Sequence, residues 1–85
     1  MSKKTRLSAD TIDVLVKIGF CQPKFYKPAS WARAKRFMDS VVCPAGLAKP
    51  FDFGRGKGKY TTSLDVDDVV SKVVCLYREQ GLLEA

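Results

Sequence analysis

Apolar and polar positions along this chain fall into four patterned stretches separated by turn-rich ones. In the first, Ile12, Leu15 and Ile18, with Val14, recur at helical spacing opposite a polar stripe of Asp10, Asp13 and Lys17. Ser8 is a good N-cap, Asp10 and Asp13 suit the positive end of a helix, and Asp13 and Lys17 stand at i, i+4. Gly19 stands where a left-handed residue would end that helix, with Phe20 behind it. Ile12, Val14, Val16, Ile18 and Phe20 also alternate as a strand would, but the caps at both ends favour the helix.

Residues 20–28 (FCQPKFYKP) read as a loop in which Phe20, Phe25 and Tyr26 close over the core while Lys24 and Lys27 face solvent. Pro28 or Ser30 opens a second helix that runs to about Val42, with Trp31, Ala34, Phe37, Met38, Val41 and Val42 as its buried stripe. Arg33, Arg36 and Ser40 lie on another face, Lys35 and Asp39 form an i, i+4 pair, and Ala32 with Ala34 allows close packing. Residues 43–50 (CPAGLAKP) are a turn-rich connection in which Leu47 plugs the core.

The third stretch is KPFDFGRGKGKY, Lys49 to Tyr60. Phe51 and Phe53 alternate with Asp52, a glycine-rich cationic run from Gly54 to Lys59 follows, and Tyr60-Thr61-Thr62 returns to strand-like composition. This is the pattern of a β-hairpin whose tip presents Arg55, Lys57 and Lys59. Finally Val66, Val69, Val70, Val73, Val74 and Tyr77 run at helical spacing, broadened by Cys75 and Leu76. Ser63 or Asp65 caps this helix, Asp67 and Asp68 occupy its first turn, and Gly81 closes it before Leu82 and Leu83 fold back. The fold class is therefore α+β, mostly α: three helices with a β-hairpin between the second and third. Residues 1–7 form a basic arm and residues 8–85 a single compact domain.

Charge sharpens this picture. Residues 1–59 hold thirteen Lys and Arg against four Asp and Glu, or +9, whereas residues 60–85 hold two against five, or −3. A basic body with an acidic last segment fits a polyanionic partner on one side. The residues placed to meet it are Arg33, Lys35 and Arg36 on the second helix, Arg55, Lys57 and Lys59 on the hairpin, and Lys24 and Lys27 in the loop. Basic charge that merely keeps a small domain in solution is the plainer explanation, but here the cations cluster with glycines and aromatics. Phe25, Tyr26, Phe51, Phe53 and Tyr60 are candidates for stacking on bases, although a domain this small needs its aromatics inside.

Other chemistries find little support. The glycine run fails the Walker pattern: Gly54 to Gly58 is one residue short, and Lys59 precedes Tyr60 rather than Ser or Thr. It also fails the dinucleotide spacing, and no helix follows it at once. The chain has no histidine and its serines have no obvious base, so an enzyme is not expected. Cys21, Cys43 and Cys75 are odd in number and far apart, which reads as buried free thiols rather than a disulfide or zinc site. Asp65, Asp67 and Asp68 read as helix-dipole partners, so neither metal nor cofactor is expected. No apolar run of ~18 residues and no apolar segment after Met1-Ser2-Lys3-Lys4 appear, so the expected setting is cytoplasmic.

The segment GKGKYTTSLDVDDVVSKVVCLYREQGLL resembles the wing and following helix of winged-helix DNA-binding domains of the MerR and phage-excisionase type. Gly56, Lys59, Tyr60, Asp65, Val66 and Gly81 take positions comparable to the wing strand, helix start and helix end of those families, with lysine for arginine. The resemblance covers the last third of the chain. It implies a winged-helix-like duplex-DNA binder of phage, plasmid or bacterial type, acting in regulation or recombination, with Lys57 to Tyr60 in the wing. Two other readings stay open. One is an interaction module that inhibits a host protein through its basic face, with the acidic C-terminal helix and Leu82-Leu83 as a dimer or partner surface. The other is an RNA or single-strand binder.

Overall fold

The computed structural model describes residues 6–21, 27–52 and 58–84. Its elements are α1 (Ala9–Phe20), α2 (Pro28–Phe37) continued by one π-helical turn (Met38–Val42), β1 (Lys49–Asp52), β2 (Gly58–Thr61) and α3 (Val66–Glu79). The α+β, mostly helical order expected from the pattern is the one observed.

The hub is α1, which packs against α2, α3 and β2. Ile12 and Val16 are wholly buried, and Leu15, Ile18 and Gly19 are buried with them. These positions span an arc of roughly 160° at 3.6 residues per turn, which a helix needs when it has neighbours on several sides. The arc corrects one expectation: Val16, not Val14, belongs to the core, and Val14 is 53% exposed. The N-cap is as expected, with the Thr11 backbone N–H donating to Ser8 Oγ at 3.2 Å. Asp13 and Lys17 pair at 3.1 Å on the outer side.

Gly19 does not end α1 in a left-handed conformation. It lies inside the helix, and a Cβ there would stand 2.5 Å from Met38 Cγ and 2.7 Å from Sδ. The residue is small because α2 crosses there, not because the chain turns. Cys21, extended at φ −91°, is the residue that leaves the helix.

Pro28 occupies the first turn of α2, and Lys27 rather than Ser30 is its N-cap, without a side-chain bond. Ala34, Met38 and Val42 are wholly buried and Phe37 nearly so; Ala32, expected to share the close packing, is exposed. Met38 and Val42 share the buried side, and the turn that joins them is π-helical, closed by the Cys43 N–H donating to the Met38 carbonyl at 2.8 Å. Gly46 at φ 79° then reverses the chain, and Leu47 packs half-buried against the core beside the buried Ala48.

β1 and β2 pair antiparallel, Lys49 with Thr61 and Asp52 with Gly58. Pro50 thus belongs to a strand and not to the connection before it, which an edge position tolerates. Lys59 is likewise a strand residue, opposite Phe51, rather than part of the tip. Arg55, Lys57, Phe53, Lys24, Phe25, Tyr26 and residues 1–5 of the basic arm lie outside the described residues.

Asp65 caps α3 through its extended backbone, without a side-chain bond. Val69, Val73 and Tyr77 form its buried line, flanked by the half-buried Val66, Val70 and Val74, while Cys75 is exposed instead of broadening that face. Cys21 and Cys43 are half-buried, so none of the three thiols is the fully buried one expected, and no disulfide joins them. Gly81, at φ 71°, closes α3 as expected. Its N–H donates to the Arg78 carbonyl, and the Leu82 N–H donates to that of Tyr77, the paired bonds of a Schellman end. Leu82 and Leu83 then pack against the core. Leu7 forms a parallel bridge with Leu83, so the last residue of the basic arm joins the body. Among the described residues no helix is long and apolar enough to cross a membrane.

Candidate nucleic-acid interface

The inward side of α2 is taken up by Ala34, Phe37 and Met38, which leaves Lys27, Arg33, Lys35 and Arg36 exposed. Arg33 and Arg36 stand at i, i+3 and so share a face. A shallow open depression beside them is lined by Ala32, Lys35, Arg36, Asp39 and Ser40. The Ser40 hydroxyl donates to the Arg36 carbonyl at 2.7 Å, at the start of the π-helical turn.

Among the described residues, Tyr60 links the hairpin to this helix. Tyr60 in β2 is only 5% exposed, and its ring lies tilted against Trp31 with centroids 6.5 Å apart. A buried phenol needs a partner for its hydroxyl. Here it donates to Asp39 Oδ1 at 2.5 Å and approaches the Lys35 carbonyl at 3.3 Å. The other carboxylate oxygen, Oδ2, accepts from Lys35 Nζ at 3.0 Å. Asp39 therefore joins β2 to α2 and pairs with Lys35 at the same time.

The electrostatics follow from this arrangement. The Tyr60 hydrogen bond outweighs the opposing effect of burial and, with Lys35 adding to it, holds the Asp39 carboxyl below its ordinary range. Burial first, and then the bond to Asp39, pushes the Tyr60 hydroxyl well above the ordinary phenol range. Burial also pushes the Cys43 thiol up, which is the opposite of what a reactive cysteine requires.

Negative charge gathers elsewhere. Asp67 and Asp68 sit in the first turn of α3, and Asp67 adds to the effect of Asp13 in raising the Lys17 ammonium above its ordinary value. Among the described residues no group of His, Cys, Asp or Glu is placed to hold a metal ion.

Of the eight cations expected at the interface, Arg33, Lys35 and Arg36 share α2, Lys27 caps it, and Lys59 lies in β2 next to Tyr60. Arg55, Lys57 and Lys24 are outside the described residues. Tyr60 belongs to the core and is not free for stacking. The Asp39–Tyr60 bond was not anticipated, although one signal was present: Asp39 is the sole acid between Asp13 and Asp52. Comparison with protein-family models, with curated proteins and with solved structures finds no match to this chain.

Proposed function

We propose that this protein binds nucleic acid, duplex DNA in the first place, through the outer face of α2 and the cationic hairpin that follows it. The observation that carries this reading is the seating of β2 on α2 through Tyr60, Trp31 and Asp39. It supports a footprint in which the strand that follows the basic run lies next to the helix that bears Arg33 and Arg36. The order of two helices, a hairpin and a third helix also supports the winged-helix resemblance. In that frame α2 enters or borders a groove, and the hairpin meets the adjacent backbone. A cytoplasmic location goes with this reading. Leu82 and Leu83, which would serve a partner-binding surface, are packed against the chain's own core.

The test is a salt-dependent titration against duplex DNA, single-stranded DNA and RNA. If about six phosphates are met, log K falls with log salt at a slope of about −5 on duplex DNA. Joint alanine substitution of Arg55, Lys57 and Lys59 should flatten that slope by nearly half. Tighter binding to a single strand would move the assignment to single-stranded nucleic acid or RNA. Absence of binding to all three, with capture of a single protein after nuclease treatment, would replace it with an interaction module.

A further inference from the structure

Asp39 is an unexpected residue to find on this face. It is an acid among Arg33, Lys35 and Arg36, and both of its oxygens are engaged, Oδ1 by Tyr60 and Oδ2 by Lys35. The backbone departs from α geometry at the same place. The π-helical turn begins at Met38, one residue earlier, and its i to i+5 closure re-aims the side chains that follow. Two elements distant in sequence are thereby joined at one carboxylate, and one cation of the face is held by it.

We propose that Asp39 is a positioning residue for the nucleic-acid face: it locks the hairpin to α2 through Tyr60, and by holding Lys35 it sets how many cations are free for phosphate. The second half rests on the nucleic-acid reading; the first half does not. The Tyr60 hydroxyl gives the hairpin a directed attachment to α2, beside the burial of its ring and the packing of β2 against α1. Lys35 and Asp39 remain about half exposed, at 51% and 46% of their side-chain surfaces, so an incoming phosphate can compete for Lys35.

Three variants separate the parts. Tyr60→Phe keeps the buried ring and removes only the donor. Asp39→Asn keeps an acceptor for Tyr60 and removes the charge that holds Lys35. Asp39→Ala removes both. Amide hydrogen exchange on the free protein reads the lock. The amides of β1 and β2 should exchange roughly tenfold faster in Tyr60→Phe and Asp39→Ala, with α1 and α3 little changed, and Asp39→Asn should fall between these and the parent because it keeps the acceptor but loses the charge. The salt slope on duplex DNA reads the use of Lys35: in Asp39→Asn it should steepen by about one unit. In Tyr60→Phe it should flatten although no cation has been removed.

Unchanged hairpin protection in Tyr60→Phe overturns the lock, even with DNA binding intact. Equal acceleration in every element overturns it too, because the hydroxyl would then be a general stabiliser. An unchanged slope in Asp39→Asn, with binding retained, overturns the role of Lys35. A parent protein that binds no nucleic acid overturns the binding reading and that role together, while the exchange data still decide the lock.

Discussion

Two contacts in this molecule are built from different materials. α3 meets α1 through apolar side chains, with Val69, Val73 and Tyr77 in the same core as Ile12 and Val16. Among the described residues, the hairpin meets α2 through the Tyr60 ring on Trp31 and the Tyr60 hydroxyl on the Asp39 carboxylate. The charge on the two sides differs as well. The start of α3 carries Asp67 and Asp68, whereas the outer face of α2 carries Arg33, Lys35 and Arg36. Apolar contacts are cumulative and indifferent to pH and salt. A polar contact on a half-exposed carboxylate responds to both. The lesson is that α1 and α3 supply a fixed base, while α2 and the hairpin hold the adjustable, charged surface.

The largest effect should follow from removing apolar volume at the base. Ile12→Ala, at a wholly buried position in α1, should cost about 2–5 kcal/mol. Denaturant unfolding should show all elements lost in one transition. Separate transitions for the hairpin and the helices would break the comparison at its root.

A smaller loss should come from Gly19→Ala. Alanine adds about 0.5–1 kcal/mol of helix preference. The new methyl meets Met38 in a packed crossing, where overpacking costs ~1–3 kcal/mol, so the variant should be destabilised on balance. In a Met38→Ala background the same change should be neutral or stabilising. A double-mutant cycle without such coupling would remove the close approach of α1 and α2 from the account.

Acid should act on the hairpin before the base. The folded-state pKa of Asp39 is lowered, so its stabilising contribution is fully present above about pH 3.9 and fades as pH falls through the lowered value. Tyr60 behaves in the opposite sense. Its pKa is raised, so its contribution is full below about pH 10 and is lost as pH rises through the higher value. Exchange of the β2 amides across both ranges checks the two signs, and Asp39→Asn should abolish the acid limb and shrink the alkaline one, which the burial of Tyr60 still drives.

The smallest effect belongs to the exposed pair on α1. Lys17→Ala should leave the unfolding midpoint essentially unchanged, since Asp13 and Lys17 pair at the surface, where solvent screens them. A clear drop in the midpoint would mean that charge matters to the base as well.

What could be read from the chain was what neighbouring residues decide among themselves. Ser8, Pro28 and Gly81 act within one turn of their own position, and each marks its helix end as expected. The exposed basic side of α2 follows from the spacing of its apolar residues. What could not be read depends on elements that meet only after folding. Gly19 carries the local mark of a helix end, but its role is set by Met38 on another helix. Val14 and Val16 are chemically identical, and the choice between them depends on how many neighbours α1 has. The π-helical turn leaves no mark in composition. Tyr60 had the look of a core residue, but its hydroxyl requires a partner, and Asp39 is that partner from 21 residues away.

The most direct test of the central claim is a map of backbone amide shifts as duplex DNA is added at low salt. The account predicts that the changes concentrate on residues 27–40 and 49–61, with α3 along 66–79 nearly silent. Shifts centred on α3, or none anywhere, would contradict it.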